Sequence, residues 1–227
     1  MTPSRTAPLQ ELLAALEALG PRPALVWHGD EGRVELSGHV LANWIIKSVN
    51  HLAEEIALGP GDRVVLALDP HWKRLVIAIA AWGLGGEVVI GEHGAAADPL
   101  DATVADPAHL LVASDPGQLG QQQVDAAEET MLLELRSLSR RHPSPLPALA
   151  HDWVSEVRAC ADALTVPLGY WSGPAAEDPG TRLLVEADGL AAPGATLGAL
   201  QSGRGIVGPR AAISAAQADA EGARPLG

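Results

Sequence analysis

Hydrophobic residues near the start of the chain recur first at the spacing of a helix and then in two short strands. Leucines at every third or fourth position predict an amphipathic helix over residues 6–19, with Thr6 as its N-cap and Gly20 as its terminator. Two strands are predicted next, over residues 24–27 and 33–36. The glycines and acidic residues between them favour a hairpin turn.

The following stretch alternates helices with fully apolar strands. Helical spacing predicts a helix over residues 38–57, capped by Ser37. Its predicted polar face carries Asn43, Lys47, Asn50 and Glu54. A buried strand over 63–68, a buried helix over 72–84 and a strand over 87–90 come next. Strands without polar positions are typical of sheets covered by helices on both faces. The order therefore predicts an α/β fold, a doubly wound and mainly parallel sheet with helices on both faces.

The pattern is weaker in the second half of the chain. Residues 109–113 predict one more buried strand, and residues 118–129 favour a helix that residues 131–138 either continue or follow with a strand. Three prolines, Pro143, Pro145 and Pro147, predict a stiff extended connector.

A short helix is predicted over residues 153–164, and a last strand over 183–185. From residue 201 the sequence is rich in glycine and alanine and predicts a mobile tail. The chain is thus expected to form one α/β domain over 1–200, with its core in 23–114, and a flexible tail over 201–227.

Charge and cysteine content exclude several classes of function. Fifteen basic and 28 acidic side chains give a net charge of −13, which would repel the phosphate backbone of a nucleic acid. The lone Cys160 cannot form an intramolecular disulfide and is expected to be idle. No export signal is found, and glycines and Glu87 interrupt the longest apolar run. We therefore expect a cytoplasmic protein without a membrane partner.

A ligand site is expected where the parallel strands end, because open α/β sheets bind ligands beyond their carboxyl edges. The candidate binding residues are Asp69, His71, Trp72, Glu92 and His93. The alternative interpretation is a helix cap at Asp69 with solvated loop histidines, and core packing for Trp72. We expect core packing for Trp82 as well.

Two other motifs favour an ordinary structural interpretation. The acidic loop with Asp98, Asp101 and Asp106, near His93 and His109, has no compact metal-ligand spacing, so a solvated surface is favoured. The G-x-G-x-x-G motif at 203–208 follows no predicted strand, so coincidence is favoured over dinucleotide binding. No catalytic residue and no metal site is predicted.

Several segments resemble known enzymes. The segments 34–38, 58–64 and 85–90, with the apolar helix between the last two, resemble the opening of the AMP-binding, adenylate-forming superfamily, which includes acyl-CoA synthetases and adenylation domains. The sequence is also similar to a family of short bacterial proteins that match only the N-terminal part of those enzymes. This second resemblance is carried by residues 33–37, 41–47, 70–72, 81–83 and 152–158.

The resemblance implies ATP or AMP as cofactor, but the superfamily's lysines are missing. Its enzymes have a phosphate loop ending in Lys-Gly and a second lysine in a lid domain. Here lysine occurs only at positions 47 and 73, which match neither motif, so arginine or Mg²⁺ would have to stabilise the phosphate charge.

Three hypotheses follow. The first is a degenerate, non-catalytic AMP-binding-like protein that binds a ligand or a partner protein. The second is part of an ATP-dependent acyl-adenylating ligase whose lysine-bearing lid comes from another chain. The third is a structural interaction protein without a small-molecule pocket.

Overall fold

The computed structural model describes residues 8–91, 106–119, 121–168 and 170–227 of the chain. The chain divides into two compact units. The first unit combines Met1–Ile45 with Gly173–Gly227, and the second is Ile46–Ser172. This division differs from the expected single domain followed by a tail.

Within the described residues the strands are β1 (Pro23–Gly29), β2 (Gly32–Ser37), β3 (Arg63–Ala67), β4 (Glu87–Ile90), β5 (Ala108–Ala113), β6 (Ala127–Leu132), β7 (His151–Asp152), β8 (Arg182–Leu184), β9 (Ile206–Gly208) and β10 (Ala223–Pro225). The α-helices are α1 (Pro8–Leu19), α2 (Gly38–Glu54), α3 (Trp72–Gly83), α4 (Gln121–Asp125), α5 (Trp153–Val157), α6 (Pro193–Gln201) and α7 (Ala215–Ala220). Two short 3₁₀ turns span Pro116–Gln118 and Arg210–Ala212.

The first unit contains a five-stranded sheet in the order β10-β8-β9-β1-β2. Strands β1 and β2 form the predicted antiparallel hairpin, closed at the pair Gly29 and Gly32. The other neighbours are parallel, and Ile206 of β9 lies opposite both Leu25 of β1 and Leu183 of β8. The prediction of a mobile tail from residue 201 is therefore wrong, because β9 is the central strand of this sheet.

Helix α1 follows its leucine pattern closely. All five leucines of the stripe are buried. The helix ends at Gly20, whose φ of 64° lies in the left-handed region that glycine tolerates, and whose N–H donates to the Leu16 carbonyl at 3.2 Å. The predicted cap, Thr6, lies outside the described residues.

The second unit contains a fully parallel sheet in the order β4-β3-β5-β6-β7. From β3 the chain moves outward to β4 and then returns past β3 to β5, so the winding direction reverses between β3 and β5. Right-handed crossovers then place α3 and α4 on opposite faces. The predicted α/β class and parallel pairing are confirmed, although the strands form two sheets instead of one.

Helix α2 begins as predicted, with the Ser37 hydroxyl accepting the Val40 N–H at 3.3 Å. Its predicted polar face is not fully solvated, since Asn50 is 0% exposed. The Asn50 side-chain amide donates to the carbonyls of Ala161 and Ala163 at 3.2 and 2.8 Å, and its oxygen accepts the Thr165 N–H at 3.0 Å. The segment around residues 161–165 therefore covers this part of the helix.

Helix α5, which precedes this segment, is shorter than predicted. We predicted a helix over 153–164, but it ends at Val157. The following carbonyls are taken by side chains of α2, which satisfies them outside a helix. The predicted helix over 118–129 is likewise shorter, because residues 127–132 form β6, and residues 133–150 contain neither helix nor strand.

Among the described residues, no helix combines the length and apolar character needed to cross a bilayer.

Candidate functional site

The predicted site begins where β3 ends, at the point of the second sheet where the winding reverses. Four residues connect β3 to helix α3, and the last of them, His71, is the N-cap of the helix. The His71 ring accepts the Lys73 backbone N–H on Nδ1 at 3.3 Å. Asp69 is exposed at the surface and is not the cap, so the alternative interpretation of Asp69 was wrong in this detail.

His71 and Trp72 are packed into a buried polar contact. The Trp72 indole Nε1 donates to the Ser137 hydroxyl at 3.1 Å, and His71 Nε2 lies 3.4 Å from the same oxygen. Burial, together with the Lys73 charge, lowers the pKa of His71 to about 3, so the ring is neutral near pH 7. Trp72 is 1% exposed and Trp82 is 7% exposed, which supports the core-packing interpretation of both tryptophans.

The two cations that follow in α3 are bound to backbone carbonyls. Lys73 is fully buried, and its Nζ donates to the carbonyls of Glu134 and Arg136 at 2.5 and 2.6 Å. Arg74 donates through Nη1 to the Leu68 carbonyl at 3.0 Å. Both side chains therefore fix the loops at the carboxyl edge of the sheet.

Lys47, the other lysine of the chain, is held in a similar way. Its Nζ donates to the carbonyls of Cys160 and Arg158 and pairs with the Asp162 carboxylate at 2.9 Å. Cys160 itself is a free, half-buried thiol, and burial and the nearby Glu54 carboxylate raise its pKa. A protonated thiol of this kind agrees with the expected idle role.

Only three of the five candidate binding residues lie among the described residues. Asp69, His71 and Trp72 lie together in the connection from β3 to α3, while Glu92 and His93 lie outside the described residues. Whether the five side chains share one ligand stays a prediction.

The predicted acidic loop also lies mostly outside the described residues, which include Asp106 and His109 but not His93, Asp98 or Asp101. Asp106 pairs with Arg63 at 3.3 Å, and His109 pairs with Glu128 at 2.9 Å. These contacts favour the structural interpretation of both residues.

The glycine motif at 203–208 runs from the end of α6 into β9. A dinucleotide fingerprint instead leads from a strand into a helix. The order of elements therefore supports the interpretation that the G-x-G-x-x-G match arose by chance.

A cluster that the sequence analysis did not identify lies elsewhere in the second unit. Glu156 Oε2 lies 2.9 Å from His51 Nε2 and 2.8 Å from His151 Nδ1. His51 comes from the last turn of α2, His151 from β7 and Glu156 from α5. The three ligand atoms lie within 4.8 Å of one another.

Neighbouring groups orient this cluster. The Asp152 N–H donates to Glu156 Oε1 at 2.9 Å, and Glu129 Oε2 lies 3.4 Å from His151 Nε2. Burial opposes ionisation of Glu156, but the hydrogen bonds from His51, His151 and Asp152 lower its pKa below the ordinary value. Burial lowers the pKa of His51 despite the neighbouring Glu156. The cluster therefore combines a carboxylate with a neutral buried imidazole.

The cluster opens to an acidic groove. A depression of about 660 Å³ is lined by His151, Glu156, Glu55, Glu128 and Glu129, among other residues. A neighbouring one of about 480 Å³ shares His151 and Glu156 and adds Glu54 and Cys160. Carboxylates therefore outnumber cations along this surface, which favours a positively charged ligand.

Three solved structures that share this fold are named as an acyl-CoA synthetase, a coronafacic acid ligase and a benzoate CoA ligase. An acyl-CoA synthetase from Brucella canis matches 89% of this chain and 42% of its own length, with a TM-score of 0.61 and 16% identity. A coronafacic acid ligase from Pectobacterium brasiliense matches 89% and 45%, with a TM-score of 0.63 and 10% identity. The fold is that of part of an adenylate-forming enzyme. A benzoate CoA ligase from Burkholderia xenovorans LB400 agrees, covering 76% of this chain and 31% of that one, with a TM-score of 0.52 and 14% identity.

The fold resemblance inferred from the sequence is thus confirmed, and at these identities the likeness to adenylate-forming enzymes concerns the fold alone. A curated protein of Mycobacterium tuberculosis (strain ATCC 25618 / H37Rv), named "TIGR03089 family protein", is 28% identical over 148 residues, or 65% of this chain and 57% of that protein. No protein-family model matches the sequence. The chain spans between about one third and three fifths of the length of these similar proteins.

Proposed function

We propose that this chain is a non-catalytic, adenylate-forming-enzyme-like protein that uses its scaffold to bind a ligand or a partner protein. The observation that carries the proposal is the engagement of both lysines by backbone carbonyls.

Adenylation builds negative charge on the α-phosphate and on the departing pyrophosphate, which enzymes stabilise with positioned cations. Lys73 and Arg74 lie near the carboxyl edge of the second sheet, where a nucleotide is expected. Each side chain is buried and already donates to carbonyl oxygens. Turning either side chain toward a phosphate would leave those carbonyls without a donor, at about 1–3 kcal/mol each. This cost supports a scaffold without adenylation chemistry.

The proposed ligand position is the carboxyl edge between β3 and β5, where open α/β sheets place their ligands. Asp69, His71 and Trp72 lie on the β3 side of this edge. An adenine nucleotide is the proposed ligand class, on the resemblance to adenylate-forming enzymes only. A cytoplasmic location is part of the same proposal.

The proposal is tested by ATP–pyrophosphate exchange with a panel of carboxylic acids, and by calorimetric titration with Mg·ATP, AMP and CoA. We expect no exchange above the background without protein. Saturable nucleotide binding that Asp69→Asn weakens, and that the exposed hairpin variant Asp30→Asn leaves unchanged, would support the ligand-binding form. Exchange by the purified chain alone would refute the non-catalytic proposal.

A second candidate is one part of a split acyl-adenylating ligase. It is favoured by the likeness of the fold to part of known ligases, of which the chain matches 31–45%. It predicts that a lysine-bearing partner chain co-purifies with this protein, and that exchange requires both chains. If no nucleotide, CoA or acyl compound changes the melting temperature and no exchange occurs, a purely structural interaction protein is the remaining candidate.

A further inference from the structure

We propose that His51, His151 and Glu156 form a binding site for a zinc-class divalent cation, with its fourth coordination position open to the acidic groove. This proposal does not depend on the proposed function.

The donor set and its spacing fit this ion. Two imidazole nitrogens and one carboxylate oxygen, with one position left for water, are a recurrent zinc ligand set. Bonds of about 2.0–2.2 Å in a tetrahedron place ligand atoms roughly 3.3 Å apart. The Glu156 oxygen lies 2.9 and 2.8 Å from the two ring nitrogens, and all three atoms lie within 4.8 Å of one another, so side-chain shifts of roughly an ångström give the tetrahedral spacing.

The burial of His51 also suits a metal ligand. His51 is 0% exposed, and its other ring nitrogen, Nδ1, is buried without a hydrogen-bond partner among the described residues. The hydrogen bond from Nε2 to Glu156 is therefore the polar contact that orients the His51 ring, and it lies inside the cluster.

The contacts around His151 and Glu156 are those that metal sites use. A metal-bound histidine usually donates its second N–H to a carboxylate or carbonyl, which fixes the tautomer. Glu129 lies 3.4 Å from Nε2 of His151, opposite the Nδ1 that faces Glu156. The Asp152 N–H holds the second oxygen of Glu156. Both groups orient ligand atoms without occupying the centre.

The acidic groove provides access and charge. It places the carboxylates of Glu55, Glu128 and Glu129 near the exposed sides of His151 and Glu156. These charges raise the local cation concentration. Mg²⁺ and Ca²⁺ prefer oxygen ligands, so the two imidazoles select zinc-class ions over them.

The test uses the full chain, stripped with a chelator and dialysed. Calorimetric titration with Zn²⁺ should give one equivalent, which excess Mg²⁺ does not displace. Co²⁺ should bind in the same place and give the visible absorption of a four-coordinate ion. His151→Gln should lower the affinity for Zn²⁺ by about 100-fold or more, since loss of an outer contact alone lowers metal affinity by about 10–100-fold. Glu129→Gln should show that smaller, outer-contact effect.

Two controls separate this site from other ligands of zinc. His39 also pairs with a glutamate, Glu17, at 2.6 Å but belongs to no three-residue cluster among the described residues, so His39→Gln should keep full affinity. Cys160→Ser should also keep it. Circular dichroism of His151→Gln checks that the variant folds, and Glu156→Gln repeats the test at a second ligand.

Unchanged affinity in folded His151→Gln and Glu156→Gln would overturn the proposal. So would loss of binding in Cys160→Ser alone, equal binding of Mg²⁺, or no binding of Zn²⁺ at micromolar concentration.

Discussion

The ammonium group of Lys73 shows how one buried charge determines the shape of a loop. Lysine is almost never fully buried unless it is paired, and Lys73 is 0% exposed. Its partners are carbonyls of residues 134 and 136 and the Ser139 hydroxyl at 3.4 Å. The segment after β6, which has no helix or strand of its own, is therefore fixed from α3.

Replacing Lys73 with methionine should destabilise the protein strongly. The variant keeps the volume of the lysine side chain but leaves two partly buried carbonyls without their donor, which should lower the free energy of unfolding by about 2–4 kcal/mol. Urea titration measures the change. Lys47→Met is the matched control and should cost about 1 kcal/mol, because Lys47 is partly exposed. Equal costs would contradict the assigned role of Lys73.

His71 should make stability depend on pH. Its folded pKa of about 3 lies below the unfolded value of 6.5, so the unfolded chain binds more protons between these values. Stability is then fully present above pH 6.5 and falls as the pH drops through this window, by about 2 kcal/mol between pH 7.5 and pH 5.

The measurement compares unfolding of the wild type and His71→Asn at both pH values. Asparagine keeps a side-chain acceptor at the N-cap but does not titrate. His109 contributes to the pH dependence of stability with the opposite sign. Burial opposes its charge, but the Ile56 carbonyl and two carboxylates raise its pKa. Both proteins retain His109, so their difference isolates His71. The same pH slope in both would contradict the prediction.

At the scale of elements, the hydrophobic periodicity correctly predicted the helices and strands whose ends are set by residues within the same segment. Helix α1 and strand β3 follow their apolar patterns, and Ser37 and Gly20 bound helices as expected. Helix α5 was predicted too long: it ends at Val157, and residues that the pattern placed in its last turn instead offer their carbonyls to Asn50, more than 100 positions away. A hydrophobic pattern read over neighbouring residues contains no information about contacts between residues so far apart in sequence.

The candidate sites show the same limit. The connection after β3 was chosen as a candidate site because open α/β sheets place ligands at the carboxyl ends of their strands, and that site stays a prediction. The cluster of His51 and Glu156 was not predicted, since 105 positions separate them and no compact spacing marks the pair. Its only local signal is His151 five positions before Glu156.

Strand β9 leads to a prediction about truncation. Ending the chain after residue 200 removes β9, which lies between β1 and β8, and should unfold the first sheet. Ending it after Gly222 removes only the edge strand β10 and should preserve the rest. Circular dichroism and limited proteolysis measure the difference. If both truncations behave alike, the central position of β9 is wrong.

A single glycine in the same region gives a finer test. Gly205 has a φ of 76°, and a Cβ there would lie 2.8 Å from the Ala24 carbonyl oxygen. Gly205→Ala therefore suffers both strain and a clash with backbone, and should cost more than about 2 kcal/mol in unfolding free energy. Gly222→Ala, with a φ of 65° and open space, should cost only about 1 kcal/mol.

At the scale of the whole molecule, charge limits the choice of partner. A net charge of −13 predicts no binding to labelled duplex DNA even at low salt, where counterion release is most favourable. Fluorescence anisotropy measures this. A saturable signal that weakens with salt would contradict the prediction and require a basic surface.

The pairing of β1 with β9 has a consequence for synthesis on the ribosome. Leu25 lies opposite Ile206, so nearly the whole chain must be translated before the first sheet acquires its middle strand. The second unit is continuous from Ile46 to Ser172 and has all its strands much earlier. At about 5–20 residues per second, seconds pass between these two events. During that interval β1 lacks its partner β9 on the side away from β2, and this exposed strand edge is where a nascent-chain chaperone would act.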